Sequence, residues 1–423
     1  MLEIQLLRAQ PDFVKERLRH KNFAEVALVD KILDTDEARR AIQIKLDDIR
    51  NRENTIAKEI GGLFKEGKKD EAEAKKQESI ALKDESAQLT LQYAALEKEQ
   101  NDLLVILPNL PSATVPAGKV AEDNEVIKQV GDIPTLFEGA LPHWELAKKY
   151  DLFDLELGAK ITGAGFPVFR GKGAKLQRAL ISFFLDKATE AGYLEVSPPL
   201  MVNEASAFAT GQLPDKEGQM YHATVDNLFL IPTAEVPVTN IVRDEIFEQK
   251  QLPIKMAAYS PCFRREAGSY GKDVRGLNRV HQFDKVEIVQ VQLPEKSYDT
   301  LNEMCAHVEG LLQALELPYR ILRLCAGDMS FASALTFDFE VYSTAQQRWL
   351  EVSSVSNFET FQTNRLKTRY RDENKKLQLC HTLNGSALAL PRILAGILEN
   401  HQTPEGIKIP KALQSYFGAE MLD

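Results

Sequence analysis

A heptad pattern between residues 28 and 107 constrains the fold of this chain more than any other feature of its sequence. Apolar side chains recur there at mostly alternating steps of three and four residues in two runs: Ile42, Leu46, Ile49, Ile56, Ile60 and Leu63, and then Leu82, Leu89, Tyr93, Leu96, Leu103 and Leu107. Such spacing is typical of the buried seam of a coiled coil, and neither run contains proline. Three glycines in GGLFKEGKK, residues 61–69, can end the first helix and turn the chain. The pattern therefore predicts two long helices folded as an antiparallel hairpin, a rod of roughly 50 Å at ~1.5 Å per residue.

The tip of this hairpin leaves two interpretations open. Residues 65–76, KEGKKDEAEAKK, mix lysines with acidic side chains. The hairpin could be a dimerisation or scaffold element with a solvated tip, or an arm that reaches a phosphate-bearing partner. Residue types alone do not decide between the two.

Three prolines in LPNLPSATVPAG, residues 107–118, end the second helix and mark the clearest domain boundary. We expect a first domain over 1–107, a linker over 108–118 and a second domain over 119–423. Beyond the linker, helical patterns at GAKLQRALISFFLDKATEAGY and ALALPRILAGILEN accompany strand-like runs such as KMAAYSPCF, VEIVQVQL, FDFEVYS and WLEVSSVSNF. This mixture predicts an α+β domain around a largely antiparallel sheet.

Composition excludes several classes of protein. The chain is 44% hydrophobic and 27% charged, which is ordinary for a globular protein, and no apolar run approaches the ~18 residues of a membrane helix. We therefore expect a cytoplasmic protein without a membrane partner. The four cysteines form no C-x-x-C pair and the histidines no H-E-x-x-H motif, so no zinc is expected. A net charge of −10 argues against bulk capture of nucleic acid but leaves room for a local basic face.

Nucleotide-binding loops of the common kinds are missing from the sequence. Gly-Lys never precedes Ser or Thr, and no G-x-G-x-x-G opens a helix. Any phosphate must then be held by side-chain cations and a metal ion. The stretch PCFRREAGSYGKDVRGLNRVHQFDKVEIV, residues 261–289, supplies cations between two strand-like runs. Its alternative interpretation is a structural salt-bridge network.

Within this stretch, alternation along a strand predicts that Arg264 and Glu266 face the same side of the sheet. An arginine fork matches a phosphate in two hydrogen bonds. A turn, GSYGKDVRG, leads to a second strand that returns Phe283 and Glu287. Elsewhere, Arg392 opens the last helix, while Glu351 and Ser354 in WLEVSS could hold a hard cation.

Taken together, these segments resemble the seryl-tRNA synthetases, a branch of the class II aminoacyl-tRNA synthetases. FRREAGSYGKDVRGLNRVHQFDKVE is similar to motif 2 of that family, GYLEVSPPLMV to motif 1 and NGSALALPR to motif 3. IPTAEVPV, residues 231–238, resembles the serine-binding segment, and the hairpin resembles the tRNA-binding arm. The resemblance covers essentially the whole chain. It implies a class II synthetase-like antiparallel sheet flanked by helices, preceded by the coiled-coil hairpin.

The resemblance also implies the reaction and its partners. The serine carboxylate attacks the α-phosphate of ATP to give seryl-adenylate, and the seryl group then passes to the terminal adenosine of tRNA(Ser). Whether tRNA(Sec) is a second acceptor stays open. The family implies Mg²⁺ bound with ATP and a homodimer formed through motif 1.

Site residues follow from the resemblance alone. For ATP they are Arg264, Arg265, Glu266, Phe283, Glu351, Val352, Ser353, Ser354 and Arg392, with Arg264 and Arg392 in the catalytic roles. The resemblance implies that Arg264 contacts the α-phosphate and that Glu266 contacts the amino edge of the adenine. Phe283 and Arg392 are implied on the two faces of the adenine, and Arg392 also reaches the γ-phosphate. Glu351 and Ser354 are implied as ligands of Mg²⁺, and Arg265 has no specific role. For serine they are Thr233, Ala234, Glu235, Glu287 and Ser386.

Two residues depart from the family pattern, and two other functions compete. Ala387 and Pro391 stand where many members have glycine, although Pro391 suits the start of a helix. A related adenylating enzyme that loads a carrier protein would lack the long arm. A non-catalytic coiled-coil protein would have no need of Arg264, Glu266 and Arg392.

Overall fold

The computed structural model describes residues 1–215, 217–267 and 275–423. They form two compact units. The first contains Met1–Arg19 and Phe23–Pro108, and the second contains His20–Asn22 and Asn109–Asp423.

The first unit is built on the helical hairpin that the heptads predict. Its helices are α1 (Ile4–Ala9), α2 (Pro11–His20), α3 (Leu28–Lys65) and α4 (Lys69–Leu104). Every apolar seam position named above is buried or half-buried, and Ile49, Ile56 and Leu82 pack together at its centre. The 38 residues of α3 span about 57 Å. The predicted coiled-coil hairpin is therefore confirmed.

The turn of the hairpin is shorter than the three glycines suggested. Helix α3 continues through Gly61 and Gly62 to Lys65, so only Gly67, at φ +81°, turns the chain. The N–H of Lys68 donates to the carbonyl of Leu63 at 3.0 Å, and that of Gly67 donates to Phe64 at 3.3 Å. This pair of bonds is the Schellman arrangement, in which a left-handed residue ends a helix. A glycine inside a helix costs only about 1 kcal/mol relative to alanine, so seam packing outweighs it at Gly61 and Gly62.

A buried carboxylate ties the base of the hairpin together. Asp36 of α3 is fully buried and accepts two hydrogen bonds of 2.7 Å from Arg8 of α1. Arg40 donates to it at 3.0 Å, and Gln100 of α4 at 2.8 Å. Burial acts to raise the pKa of Asp36, but the hydrogen bonds from Arg8, Gln100 and Arg39 outweigh it and hold the pKa well below its usual range. Without such partners a buried carboxylate would be strongly destabilising, so the cluster fixes how α1, α3 and α4 pack.

The second unit contains short and long strands in alternation with helices. The strands are β1 (Glu125–Val130), β2 (Phe153–Asp154), β3 (Val168–Phe169), β4 (Leu194–Glu195), β5 (Met201–Asn203), β6 (His222–Ala223), β7 (Leu228–Leu230), β8 (Ile246–Glu248), β9 (Ile254–Phe263), β10 (Gln282–Gln292), β11 (Tyr319–Arg323), β12 (Leu335–Ser343), β13 (Arg348–Glu359), β14 (Arg369–Arg371), β15 (Leu377–Leu379), β16 (His381–Ala389), β17 (Ile407–Lys408) and β18 (Met421–Leu422). The helices are α5 (His143–Tyr150), α6 (Leu155–Ile161), α7 (Gly171–Glu190), α8 (Glu204–Thr210), α9 (Glu235–Asn240), α10 (Ser297–Ala314), α11 (Phe361–Leu366), α12 (Leu390–Asn400) and α13 (Gln414–Phe417).

One eight-stranded sheet organises this unit, with the strand order β1-β11-β12-β13-β16-β10-β9-β4. Neighbouring strands run antiparallel, except that β4 pairs parallel with β9. Helices α7, α10 and α12 pack against the sheet. Every residue from His381 to Leu388 of β16 is buried, so both faces of this central strand are covered. The predicted α+β fold with a largely antiparallel sheet is confirmed.

The proline-rich segment that was expected to act as a linker packs into the second unit. The backbone N–H of Asn109 donates to Phe331 at 2.9 Å, and that of Ser112 donates to Ala334 at 2.8 Å. Val115 is buried in the main core. The division between the two units therefore falls between residues 108 and 109. None of the described helices has the length and apolar content needed to cross a membrane.

Candidate active site

The hairpin of β9 and β10 brings an arginine and an aromatic ring together. Cys262 pairs with Phe283 in the ladder, and Arg264 follows the end of β9. The backbone N–H of Arg264 donates to the carbonyl of His281 at 2.9 Å. Its guanidinium carbon lies 5.2 Å from the centre of the Phe283 ring. Arg264 is exposed, so its remaining donors are available to a ligand.

Glu266 is placed differently from the expectation that it shares a strand face with Arg264. Strand β9 ends at Phe263, and Glu266 has a left-handed backbone, with φ +49°. Strand alternation therefore does not apply, and that prediction is wrong. Instead, Nε of Arg279 donates to the Glu266 carboxylate, which is largely buried. The predicted turn residues 268–274 lie outside the described residues.

Arg265 contacts a different part of the unit. Its backbone N–H donates to the carbonyl of Gln219 at 2.8 Å, and its guanidinium carbon lies 5.8 Å from the ring centre of Tyr221. The side chain is exposed. These contacts place Arg265 beside residues 219–221.

A buried polar pocket surrounds Glu287 of β10. Lys285, two residues earlier on the same face of the strand, lies 2.6 Å from the Glu287 carboxylate and donates to Oγ1 of Thr233 at 2.7 Å. From β16, Oγ of Ser386 donates to Glu287 at 3.4 Å. All four side chains are at least nine-tenths buried. The pocket is small and polar, and its charged groups are paired within it.

Glu235 lies next to this pocket and is an unusually weak acid. It follows Ala234, which is fully buried, and its backbone N–H donates to Oγ1 of Thr233 at 3.2 Å. Gln362 donates to its carboxylate at 2.7 Å. Burial and the neighbouring charge of Glu287 raise the pKa of Glu235 to about 7, against smaller opposing contributions from Gln362, Lys285 and Asn384. A cation bound here would favour its ionised form.

A β-bulge brings Glu351 and Ser354 to one face of β13. Glu351 pairs with Glu340 and Ser353 pairs with Phe339, so Val352 is an extra residue in the ladder. Without the bulge, side chains three apart on a strand would point to opposite faces. With it, both residues share the face of their partners on β12. Glu351 is exposed and Ser354 is half-buried, so their oxygens can reach a ligand.

Asp338 completes this group of oxygen atoms. It pairs directly with Ser354 across the ladder. Burial raises its pKa well above the usual range, and the neighbouring charge of Glu351 raises it further. Such a pair of carboxylates is poised to accept a cation, which would relieve their repulsion. Ser353 has another role, since its hydroxyl donates to the carbonyl of Ser386 at 2.6 Å and links β13 to β16.

Arg392 is held at the start of α12. Its Nη1 donates to the backbone carbonyl of Glu351 at 2.7 Å, and its Nε donates to that of Asn278 at 3.0 Å. Pro391 occupies the second position of the helix, where no intrahelical N–H bond is lost, so it fits the helix start as expected. Ala387 is fully buried in β16.

Three residues of this site were missing from the sequence prediction. Lys285 could have been found, because strand alternation places it on the same face as Phe283 and Glu287. Asp338 and Gln362 carry no such signal. They reach the site only through the pairing of β12 with β13 and through the packing of α11.

Comparison with known proteins identifies the class first. Residues 220–401 match the tRNA synthetase class II core domain (G, H, P, S and T), which agrees with the antiparallel sheet and with the arginine, carboxylate and aromatic groups along it. The fold is that of a class II aminoacyl-tRNA synthetase.

The rest of the chain narrows this class. Residues 1–111 match the seryl-tRNA synthetase N-terminal domain. The serine–tRNA ligase of Salinibacter ruber is 51% identical over 99% of this chain and 98% of its own length. The seryl-tRNA synthetase of Pyrococcus horikoshii, solved with ATP, superimposes with a TM-score of 0.92 at 34% identity over 100% of this chain and 99% of that one. The cytoplasmic enzyme of Naegleria fowleri, solved with AMP, gives 0.88 at 29% over 100% and 98%. The chain belongs to the seryl-tRNA synthetase family and is an ATP-dependent aminoacyl-tRNA ligase.

Proposed function

We propose that this chain activates L-serine with ATP and transfers the seryl group to the 3′-terminal adenosine of tRNA(Ser). One observation carries the proposal: Phe283, Lys285 and Glu287 follow one another on the same face of β10. A nucleotide-stacking ring and a buried polar pocket therefore lie along one line, about 13 Å apart along the strand. Arg264, above Phe283, stands where the two substrates would meet.

In this arrangement ATP lies between residues of motif 2 and residues of motif 3. Phe283 stacks on the adenine, Glu266 accepts from its amino edge, and Arg392 covers the other face and reaches the γ-phosphate. Arg264 binds the α-phosphate and stabilises the charge that builds up as the serine carboxylate attacks. Arg279 supports this role of Glu266 by its ion pair.

Mg²⁺ fits the oxygen group on β12 and β13. Glu351 and Ser354 share a face and offer the hard oxygen ligands that Mg²⁺ requires, with phosphate oxygens and water completing the shell. The raised pKa of Asp338 supports a cation beside these residues. Bound there, Mg²⁺ would neutralise phosphate charge.

The pocket around Glu287 suits the small polar substrate. Glu287 and Ser386 can bond the serine hydroxyl, while Glu235 and Thr233, placed by Ala234, face the amino group. Serine-dependent exchange of pyrophosphate into ATP is the test. Alanine lacks the hydroxyl that Glu287 and Ser386 would bond, and a site built to bond a hydroxyl rejects an analogue without it far more strongly than one methyl group alone would account for. Exchange with alanine or threonine at the serine rate would overturn the substrate assignment.

We expect the Michaelis constant for serine to rise as the pH falls below about 7. The raised pKa of Glu235 means that the empty pocket loses its negative charge there, so the serine ammonium loses its partner. The loss approaches about tenfold per pH unit well below the pKa. Initial rates of exchange between about pH 8 and about pH 6 measure it. The variant Glu235→Gln should bind serine weakly at every pH, with a flat profile; an unchanged slope would contradict the role.

The proposals for the remaining partners, tRNA and a second copy of the chain, rest on the arm and on motif 1. The arm would bind tRNA, with tRNA(Ser) as the acceptor and tRNA(Sec) as a second acceptor to be tried in the same assay. Apolar Leu194, Leu200 and Met201 are exposed around motif 1, which supports a homodimer through that segment. A species of only 47.5 kDa in sedimentation at working concentration would contradict the dimer. A cytoplasmic location stays a prediction.

A further inference from the structure

A fully buried acid–histidine pair lies behind the ATP site. Glu399 is on α12, and His143 is the first residue of α5. The Glu399 carboxylate accepts from the backbone N–H of His143 at 3.0 Å and from its Nδ1 at 2.7 Å. Ser343 also donates to it. Burial acts to raise the pKa of Glu399, but the bonds from His143 and Ser343 outweigh it and lower the pKa, so the group is ionised.

The other side of the imidazole holds the backbone that follows the motif 2 turn. The N–H of Leu277 donates to Nε2 of His143 at 2.8 Å. Because a backbone N–H can only donate, Nε2 carries the lone pair and Nδ1 carries the proton that Glu399 accepts. The carboxylate thus fixes both the orientation and the tautomer of the ring.

The fit at this contact leaves no space for a side chain on the neighbouring residue. Gly276 has φ +60°, and a Cβ there would lie 2.1 Å from Nε2 of His143. Glycine is required on both grounds.

A second connection runs through amide groups. Nε2 of Gln346 donates to Glu399 at 3.1 Å, and its Oε1 accepts from the side chain of Asn278 at 2.8 Å. The carbonyl of Asn278 then accepts from Nε of Arg392 at 3.0 Å. Arg392 and Glu399 are seven residues apart on α12, so they share a face of that helix. One face of α12 therefore carries both Arg392, the arginine proposed to bind the nucleotide, and Glu399, which anchors the segment whose carbonyl bonds Arg392.

We propose that His143, oriented by Glu399, is a positioning residue for ATP that fixes the backbone at Leu277 and Asn278. Arg279, which holds Glu266, follows directly, and the Asn278 carbonyl holds Arg392. Two of the three proposed adenine contacts, those of Glu266 and Arg392, thus depend on this short segment. The inference rests on the proposed function. It predicts an effect on ATP binding but not on serine binding, since none of these bonds reaches the pocket around Glu287.

Two conservative variants distinguish positioning from structural support. In His143→Asn, the amide can still donate to Glu399 from near the Nδ1 position but is too short to accept from Leu277. In His143→Gln, the longer amide can accept from Leu277 from near the Nε2 position but no longer donates to Glu399. Positioning therefore predicts that Gln preserves ATP binding, whereas structural support predicts that Asn preserves the enzyme better, because it keeps the partner of a buried charge.

The experiment measures Michaelis constants for ATP and serine by pyrophosphate exchange, with thermal unfolding of each variant. We expect His143→Asn to raise the ATP constant between about tenfold and a hundredfold, the scale of a small misplacement at a reacting site. The serine constant should change by less than about twofold. His143→Gln should stay close to the parent for ATP, even if it melts earlier.

His401→Asn is the matched control, because His401 caps the same helix and its imidazole hydrogen-bonds only the carbonyl of Leu315 among the described residues, at 3.0 Å. It should leave the ATP constant unchanged. Equal ATP constants for the Asn and Gln variants, or a serine constant that rises as much as that for ATP, would overturn the inference. Failure of the proposed function would be visible separately, as absence of serine-dependent exchange in the parent protein.

Discussion

Replacing Arg264 with alanine is expected to lower serine-dependent pyrophosphate exchange by between about tenfold and a thousandfold, the loss seen when one group that stabilises transition-state charge is removed. The side chain is exposed, and its one side-chain hydrogen bond to the described part of the chain, to the carbonyl of Pro232, is long at 3.4 Å. It is therefore held loosely over Phe283, with its donors available to the α-phosphate. Initial rates at saturating ATP and serine measure the effect.

The control for this variant is Arg371→Ala. Arg371 is also an exposed arginine, but it lies on β14, in a separate three-stranded sheet with β8 and β15. We expect it to retain the parent rate. Thermal unfolding should leave the Arg264 variant within a few degrees of the parent, since little packing is lost. An unfolded Arg264 variant would support a structural salt-bridge network instead, and a folded variant at the full rate would exclude the phosphate-binding role.

The parts of the fold that the sequence predicts are those set by local periodicity. The heptad seam places Ile49, Ile56 and Leu82 together because their spacing alone defines a helix face. The turn at its tip is less predictable, because Gly61 and Gly62 are exposed and remain helical through the packing of the seam residues beside them, such as Ile60, rather than through their own propensity.

The residues of the site also divide into those that local periodicity predicts and those that it does not. Phe283 and Glu287 could be placed together, because strand alternation relates them within β10. Glu266 could not be placed, since the end of β9 and a left-handed residue break the alternation. The shared face of Glu351 and Ser354 depends on the bulge at Val352, which only the pairing with β12 reveals.

Contacts between segments that lie far apart in the sequence could not be predicted, for a related reason. Thr233 and Lys285 meet across 52 residues of chain. Glu399 and His143 meet across 256. Neither pair is marked by a local motif, because each is created by the order of strands and helices in the sheet rather than by spacing along the chain.

Shortening the arm is expected to abolish the charging of tRNA while leaving serine-dependent exchange within about twofold of the parent. The structure indicates where to cut. Asp36 and Gln100 tie the base of the hairpin, and Arg39 donates to the hydroxyl of Tyr93 at 2.7 Å. Replacing residues 45–89 with the native turn, Glu-Gly-Lys, takes three heptads from each helix, so the seam stays in register, all of these contacts are kept and about 30 Å of reach is removed. Deletion from residue 30 to 104 would remove Asp36 and leave Arg8 without its partner.

Charge at the tip supplies the control for the shortened arm. Lys68, Lys75 and Lys76 lie within salt-bridge distance of acidic residues of the hairpin, whereas Lys65 and Lys69 have no ion pair among the described residues. Replacing Lys65 and Lys69 with alanine keeps the full length and removes two positive charges. If they contact phosphate, this variant should charge tRNA more weakly and with a shallower dependence on salt. Charging of tRNA(Ser) by the shortened enzyme at the parent rate would show that the arm is a scaffold, whatever the lysine variant does. Loss of charging only in the shortened enzyme would place the tRNA contact along the helices rather than at the tip. The lysine variant keeps the full length of both helices and changes only the charge at the tip.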